Sequence, residues 1–308
     1  MKKFRTISVL LLLLFIIVGI TGCGNTVEED DDEKLKVYTS FYPMYDFTSK
    51  IAGDKISVYN MVPSGVEPHD WEPAASDIVN LEKADMFVYN GAGMEHWVED
   101  VLKSLENKEL VVVVASQGID LLLSEDDDHD GHDHGDFDSH VWTNPLNVKI
   151  QMENIKDALV QLDPDNMDYY NENYDKYSKE LDKLNEEFAT KLSALSNKDI
   201  VVSHKAFSYL CNEYGLNQIA IDGLSPDTEP NPGRMAEIIN FVNENNIKVI
   251  FFEELASPKV ANTIADATGA VVDVLNPLEG LSDEELENGD DYFSVMRKNL
   301  EAILKALQ

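Results

Sequence analysis

Between residues 163 and 196 the chain places Met167, Tyr170, Tyr174, Tyr177, Leu181, Leu184, Phe188, Leu192 and Leu195 in steps of three or four. That period keeps one continuous apolar face on an α-helix. Asp163 is placed to cap its start and Pro164 to occupy its first turn. At 1.5 Å per residue, some 30 residues span about 45 Å, longer than one small domain. A helix of that length, with folded sequence on both sides, implies two lobes joined by a rigid rod. An isolated coiled coil is the competing architecture, and the β-rich flanks argue against it.

On the N-terminal side, β-like runs at 35–40, 56–62, 86–91 and 110–116 alternate with helical ones, ending in a helix at 147–162. The run "LVVVVAS" at 110–116 does not alternate, so it is expected to be buried on both faces. On the C-terminal side the runs are 199–204, 218–222, 247–254 and 270–275, with helices at about 205–214, 233–245, 257–268 and 291–307. This βα alternation predicts an α/β fold with two lobes, each a mainly parallel sheet flanked by helices. The expected division is a signal peptide at 1–22, a lipidated cysteine and acidic tether at 23–34, and an N-terminal lobe at 35–162. The linking helix at 163–196 and a C-terminal lobe at 197–308 follow.

The N-terminal assignment rests on three features. Lys2, Lys3 and Arg5 precede a nearly unbroken apolar stretch from Ile7 to Ile20, the pattern of an export signal. It is short for a bilayer span. The "ITGC" at 20–23 resembles a bacterial lipobox, which implies cleavage before Cys23 and lipidation of that residue. An ordinary signal peptide with an incidental cysteine is the alternative. Cys211, the other cysteine, lies on an apolar helical face and reads as a small buried hydrophobe rather than a nucleophile. The formal charge of −34 disfavours nucleic acid and anionic substrates and favours cations.

In open α/β sheets, ligands bind beyond the carboxyl ends of strands. His69, His140, His204 and Glu279 all follow such ends, two from each half, so a site made from them would lie in the interlobe cleft. Glu253 and Glu254, after "VIFF", compete with Glu279 for the fourth position, as does water. Three imidazoles and a carboxylate suit Zn²⁺, whereas Mn²⁺ favours a more oxygen-rich set. Asp70, Glu72 and Asp138 are candidates to fix histidine tautomers, and Trp71 and Trp142 to exclude water. The acidic loop 124–138 carries His129, His132 and His134 among Asp and Gly. A flexible backbone makes a preformed site there costly in entropy, so a weak accessory metal-binding loop is expected, with a purely solvated loop as the alternative.

The segments "PHDWEP", "DSHVWTNP", "SHKAF" and "IKVIFFEE", together with the long central helix, resemble the zinc-binding solute-binding lipoproteins of ABC importers, the ZnuA/AdcA type. The likeness covers residues 35–308. It implies a Zn²⁺ receptor rather than an enzyme, with His69, His140, His204 and Glu279 as the ligands. Manganese-binding relatives carry a carboxylate where His204 stands, so the resemblance implies zinc. It also implies a cognate permease and its ATPase as partners, a monomer, and a lipid anchor at Cys23 on the outer face of the cytoplasmic membrane. The histidine loop is short compared with the longer tracts of some members. A zinc hydrolase is a competing reading, which the lack of an H-E-x-x-H pattern opposes. A surface adhesin is another.

Overall fold

The computed structural model describes residues 34–124, 137–224, 226, 230–255 and 257–308. Two four-stranded sheets carry the fold. The first contains β1 (Lys36–Thr39), β2 (Ser57–Asn60), β3 (Met86–Tyr89) and β4 (Val111–Val114), in the order β2-β1-β3-β4. The second contains β5 (Asp199–Val202), β6 (Asn217–Ala220), β7 (Val249–Phe252) and β8 (Val271–Val274), in the order β6-β5-β7-β8. Every pairing is parallel. Both sheets therefore reverse direction of winding beside their first strand, and the crevice at that switch point opens at the carboxyl ends.

Helices α1 (Tyr42–Ala52), α2 (Ala75–Leu81) and α3 (Val98–Ser104) cross over within the first lobe, and α6 (Ser208–Tyr214), α7 (Pro232–Glu244) and α8 (Lys259–Thr268) within the second. Helix α4 (Pro145–Leu162) completes the first lobe, α5 (Met167–Ser193) runs from it to the second, and the described chain closes with α9 (Asp283–Glu287) and α10 (Tyr292–Leu307). The α4 start is built as its sequence dictates. Pro145 takes the first turn and the Asn144 side chain accepts the Leu146 N–H at 2.9 Å.

Strand alternation sorts side chains into layers. Val37, Met86, Val88, Ile200, Val202, Val249 and Phe251 enter one large core shared by both lobes. Phe87 faces a separate cluster under α2 and α3, with Leu81, Trp97 and Val101. Val201 and Ile250 face a third under α7 and α8, with Ile238 and Ile264. The shared core is continuous because α5 crosses it, burying Tyr170, Leu181, Leu184, Phe188 and Leu192 completely.

Two expectations change. The long α-helix begins at Met167, three residues later than its capping pattern suggests, and Pro164–Asn166 form a 3₁₀ turn. The Asp163 carboxylate, instead of capping, accepts from Tyr170 Oη and Asn166 Nδ2. The 27-residue helix is about 40 Å long. The valine run is not buried on both faces, since β4 ends its sheet and Val112 on its outer side is 41 % exposed. Cys211 is buried in α6, as its apolar face predicts, and burial pushes its thiol far up. Cys23 lies outside the described residues.

Candidate metal centre

Each candidate ligand stands where a strand delivers it. His204 lies just past β5. His69 lies on the loop from β2 to α2, and Glu279 on the loop from β8 to α9. His140 ends the segment that returns to α4. Their ligand atoms lie within 4.8 Å of one another. The His140 Nε2 is 3.3 Å from both His69 Nε2 and His204 Nε2. Glu279 Oε1 is 3.3 Å from His69 Nε2, 3.0 Å from His140 Nε2 and 3.1 Å from His204 Nε2. All three rings thus turn the same nitrogen inward. A tetrahedral ion with bonds near 2.05 Å sets its ligand atoms about 3.3 Å apart, so these separations are those of a tetrahedral edge.

The outer ring nitrogens are held by carboxylates. Asp138 Oδ1 sits 2.8 Å from His140 Nδ1 and also accepts the His140 backbone N–H. Glu253 Oε1 sits 2.6 Å from His204 Nδ1. Carboxylates in these places fix each ring so that Nε2 faces the centre. Of the three carboxylates the sequence suggested for this task, Asp138 performs it. Asp70 is exposed, and Glu72 reaches His96 at 3.8 Å instead. Glu253, expected only as a rival ligand, serves His204 from behind. Its position directly after β7, the strand beside β5, is the signal that identifies it. Glu254 is not among the converging ligand atoms and lines a groove on the C-terminal lobe.

Burial and charge work against each other here. Burial lowers the His140 basicity, but Asp138 and Glu279 outweigh it and hold the ring up to about 9. His204 follows the same pattern, with Glu253 and Glu279 raising it well above the ordinary range. For His69 burial prevails over Glu279, and the net shift is downward. Burial pushes Glu279 up, yet His204 and His69 hold it well below the usual carboxylate range. The metal-free pocket therefore keeps ionised Glu279 against two protonated rings, an arrangement a divalent cation replaces in kind.

The surroundings exclude water. His140 and His204 are fully buried, and Trp142, also fully buried, packs its ring 5.3 Å from that of His140. Its indole N–H donates to the Pro277 carbonyl across the lobes at 2.8 Å. Leu278 beside Glu279 has φ of 64°, a left-handed conformation that a branched residue adopts at a cost. The Asn276 side chain holds that turn by accepting the Leu278 N–H, and Asn299 holds Asn276 in both directions. Trp71 packs on Trp97 rather than on the ligands, with ring centroids 5.5 Å apart.

His69 is the outermost ligand, with a 7 % exposed side chain, and its backbone N–H donates to Glu67. Its loop is tied to the loop that carries Glu279. The Gly65 N–H donates to the Leu281 carbonyl at 3.0 Å, and Ser64 Oγ bonds that carbonyl and Asp283 Oδ1 at 2.7 Å. The positive φ of Gly65 lets the backbone turn into this contact. The histidines 129, 132 and 134 lie outside the described residues. Among the described residues no other group of three or more metal-capable side chains converges.

Known proteins match this chain along nearly all of its length. Residues 37–306 match the family described as ZnuA, zinc-uptake complex component A, periplasmic. The high-affinity zinc uptake system protein ZnuA of Bacillus subtilis is 42 % identical over 99 % of this chain and 98 % of its own. The zinc-binding lipoprotein AdcA of Streptococcus pneumoniae is 39 % identical over 98 % of this chain, which spans 60 % of that longer protein. The Zn(II)-bound ZnuA-like domain of AdcA superposes with a TM-score of 0.78 at 40 % identity, covering 89 % of this chain and 99 % of that domain. The laminin binding protein Lmb of Streptococcus agalactiae, described as a bifunctional protein with adhesin and metal transporting activity, gives 0.80 at 35 % identity, covering 90 % and 100 %. The chain belongs to the ZnuA family of zinc-uptake solute-binding proteins.

Proposed function

We propose that this protein is an extracytoplasmic receptor that captures Zn²⁺ as cargo through His69, His140, His204 and Glu279 and delivers it to a cognate permease and its ATPase. The observation that carries the reading is the set of five separations of 3.0–3.3 Å that link three Nε2 atoms and one carboxylate oxygen, the spacing of tetrahedral zinc ligands. The four protein atoms fill the coordination shell, so the arrangement suits capture better than hydrolysis, which keeps a position open for water. The mature chain begins at a lipidated Cys23, acts as a monomer, and stands off the outer face of the cytoplasmic membrane on its acidic tether. Residues 35–162 and 197–308 form the lobes on either side of the 163–196 connection. His129, His132 and His134 gather zinc weakly beside the tight site.

Metal analysis and calorimetry test this. One tightly held Zn²⁺ per chain is expected, lost in His204→Ala and kept when residues 125–136 are deleted. Binding that survives His204→Ala but vanishes with the loop overturns the reading.

A further inference from the structure

A partly buried ion cluster, with Asp291 36 % exposed at its rim, lies where three elements meet, and the zinc chemistry does not use it. Lys50 Nζ on α1 is 2.6 Å from Asp46 Oδ1 and 3.0 Å from Asp291 Oδ2 at the start of α10. The same ammonium lies 5.9 Å from the ring centre of Tyr177 on α5 and 5.7 Å from that of Phe293 on α10. These two rings stack on each other. The Tyr292 backbone N–H donates to Asp46. One cation thus joins the first lobe, the linking helix and the last helix of the second lobe, with only 11 % of its side chain exposed. Apolar surfaces slide over one another with little penalty. Hydrogen bonds to charged groups are short and directional, so they hold a register.

The cluster is linked to the site by packed groups. Next to Asp291, Tyr292 packs edge-on against Phe47 and donates its hydroxyl to the Trp142 carbonyl at 2.9 Å. Trp142 touches His140 with its ring and holds Pro277 with its indole N–H. Pro277 is two residues from Glu279. A shift of α10 against α1 therefore displaces the ligands of one lobe relative to those of the other. In a close-packed interior such a shift has nowhere to be absorbed.

We propose that the Asp46–Lys50–Asp291 cluster is a positioning device for the metal site, fixing the two lobes at the separation at which His204 and Glu279 meet His69 and His140. This rests on the zinc reading above. Buried charge clusters are often replaceable by apolar groups without loss of stability, so positional register, and not stability, is what this one supplies.

The test compares the wild-type protein, Lys50→Met, and the triple variant Asp46→Asn/Lys50→Met/Asp291→Asn. Zinc release into excess chelator and the metal-free melting temperature are measured for each. Lys50→Met strands the buried Asp46 carboxylate and lowers the melting temperature. The triple variant strands none, keeps an Asn as the α10 cap, and melts near the wild type. Release about tenfold faster in the triple variant, with melting restored, is the expected result. A triple variant that releases zinc at the wild-type rate overturns the proposal and leaves the cluster a stability element alone. If Lys50→Met does not fold, the triple variant decides by itself. A wild-type protein that takes up no zinc overturns the zinc reading, and this proposal falls with it. That outcome is distinct from unchanged rates among variants that all bind.

Discussion

Zinc must displace protons from this pocket, and the number can be worked out. His140 is held up to about 9, and His204 well above the ordinary histidine value of about 6.5. At pH 7 both rings are protonated in the metal-free protein, with Nδ1–H donated to Asp138 or Glu253. The metal takes Nε2, so each ring loses one proton and keeps its carboxylate bond. For His140 the gap between about 9 and neutral pH costs about 3 kcal/mol, about a hundredfold in affinity. His69, shifted down, is already neutral, and Glu279, held low, is already ionised. Calorimetry at pH 7 in buffers of different ionisation enthalpy should therefore report about two protons released per zinc. Affinity should rise with pH, by up to about a hundredfold per unit, until His140 titrates near 9. The fold follows the opposite trend without metal. The raised His140 stabilises it fully below its unfolded value of about 6.5, and that contribution fades as pH rises through about 9. Asp138→Asn removes the main support of the His140 proton, so its release should drop by about one. Release near zero at pH 7, with affinity flat up to pH 9, refutes the account of two carboxylate-held imidazolium rings.

Other outcomes follow from particular contacts. Glu253→Gln frees the His204 ring to turn, and zinc affinity by calorimetry should fall about 10–100-fold. Ser64→Ala removes an exposed tie between the loops of His69 and Glu279, worth about 1 kcal/mol. Chelator-driven zinc release should quicken about fivefold, with the metal-free melting temperature little changed. Phe188→Ala opens a cavity in the core shared by both lobes. It should lower unfolding free energy by about 3–5 kcal/mol in a denaturant titration.

The fold was legible where burial imposes a period. The three-and-four spacing on α5 includes every residue the helix buries, although Met167 at its first position is 44 % exposed, and the hydrophobic runs locate all eight strands, because both signals depend on local geometry alone. The converging ligands were legible for the same reason, since His204 directly ends a strand run and the others follow one. What distinguishes Glu253 from Glu279 is not local. Both are acidic residues beyond strands, and only the pairing of β5 with β7 sets Glu253 behind the His204 ring instead of in front of it. The exposure of Val112 depends on β4 being outermost in its sheet, which a run of valines does not encode. Asp163 illustrates a competition. It has the right identity for a cap, but the Tyr170 hydroxyl one helical stretch later takes its carboxylate, and the α-helix starts at Met167. Lys50 and Asp291 meet only after the lobes have docked, so no sequence window contains their pairing.

The even division of ligands between the lobes also makes zinc a witness to folding. A chain with one half folded offers two donors and a weak chelate. Only when both halves are formed and seated does the fourfold site exist. Free zinc at about 1,000 times the dissociation constant would then add about 4 kcal/mol to the stability of the finished molecule and nothing to a half-made one. The finished fold would thus be held in its native form by the ion it gathers.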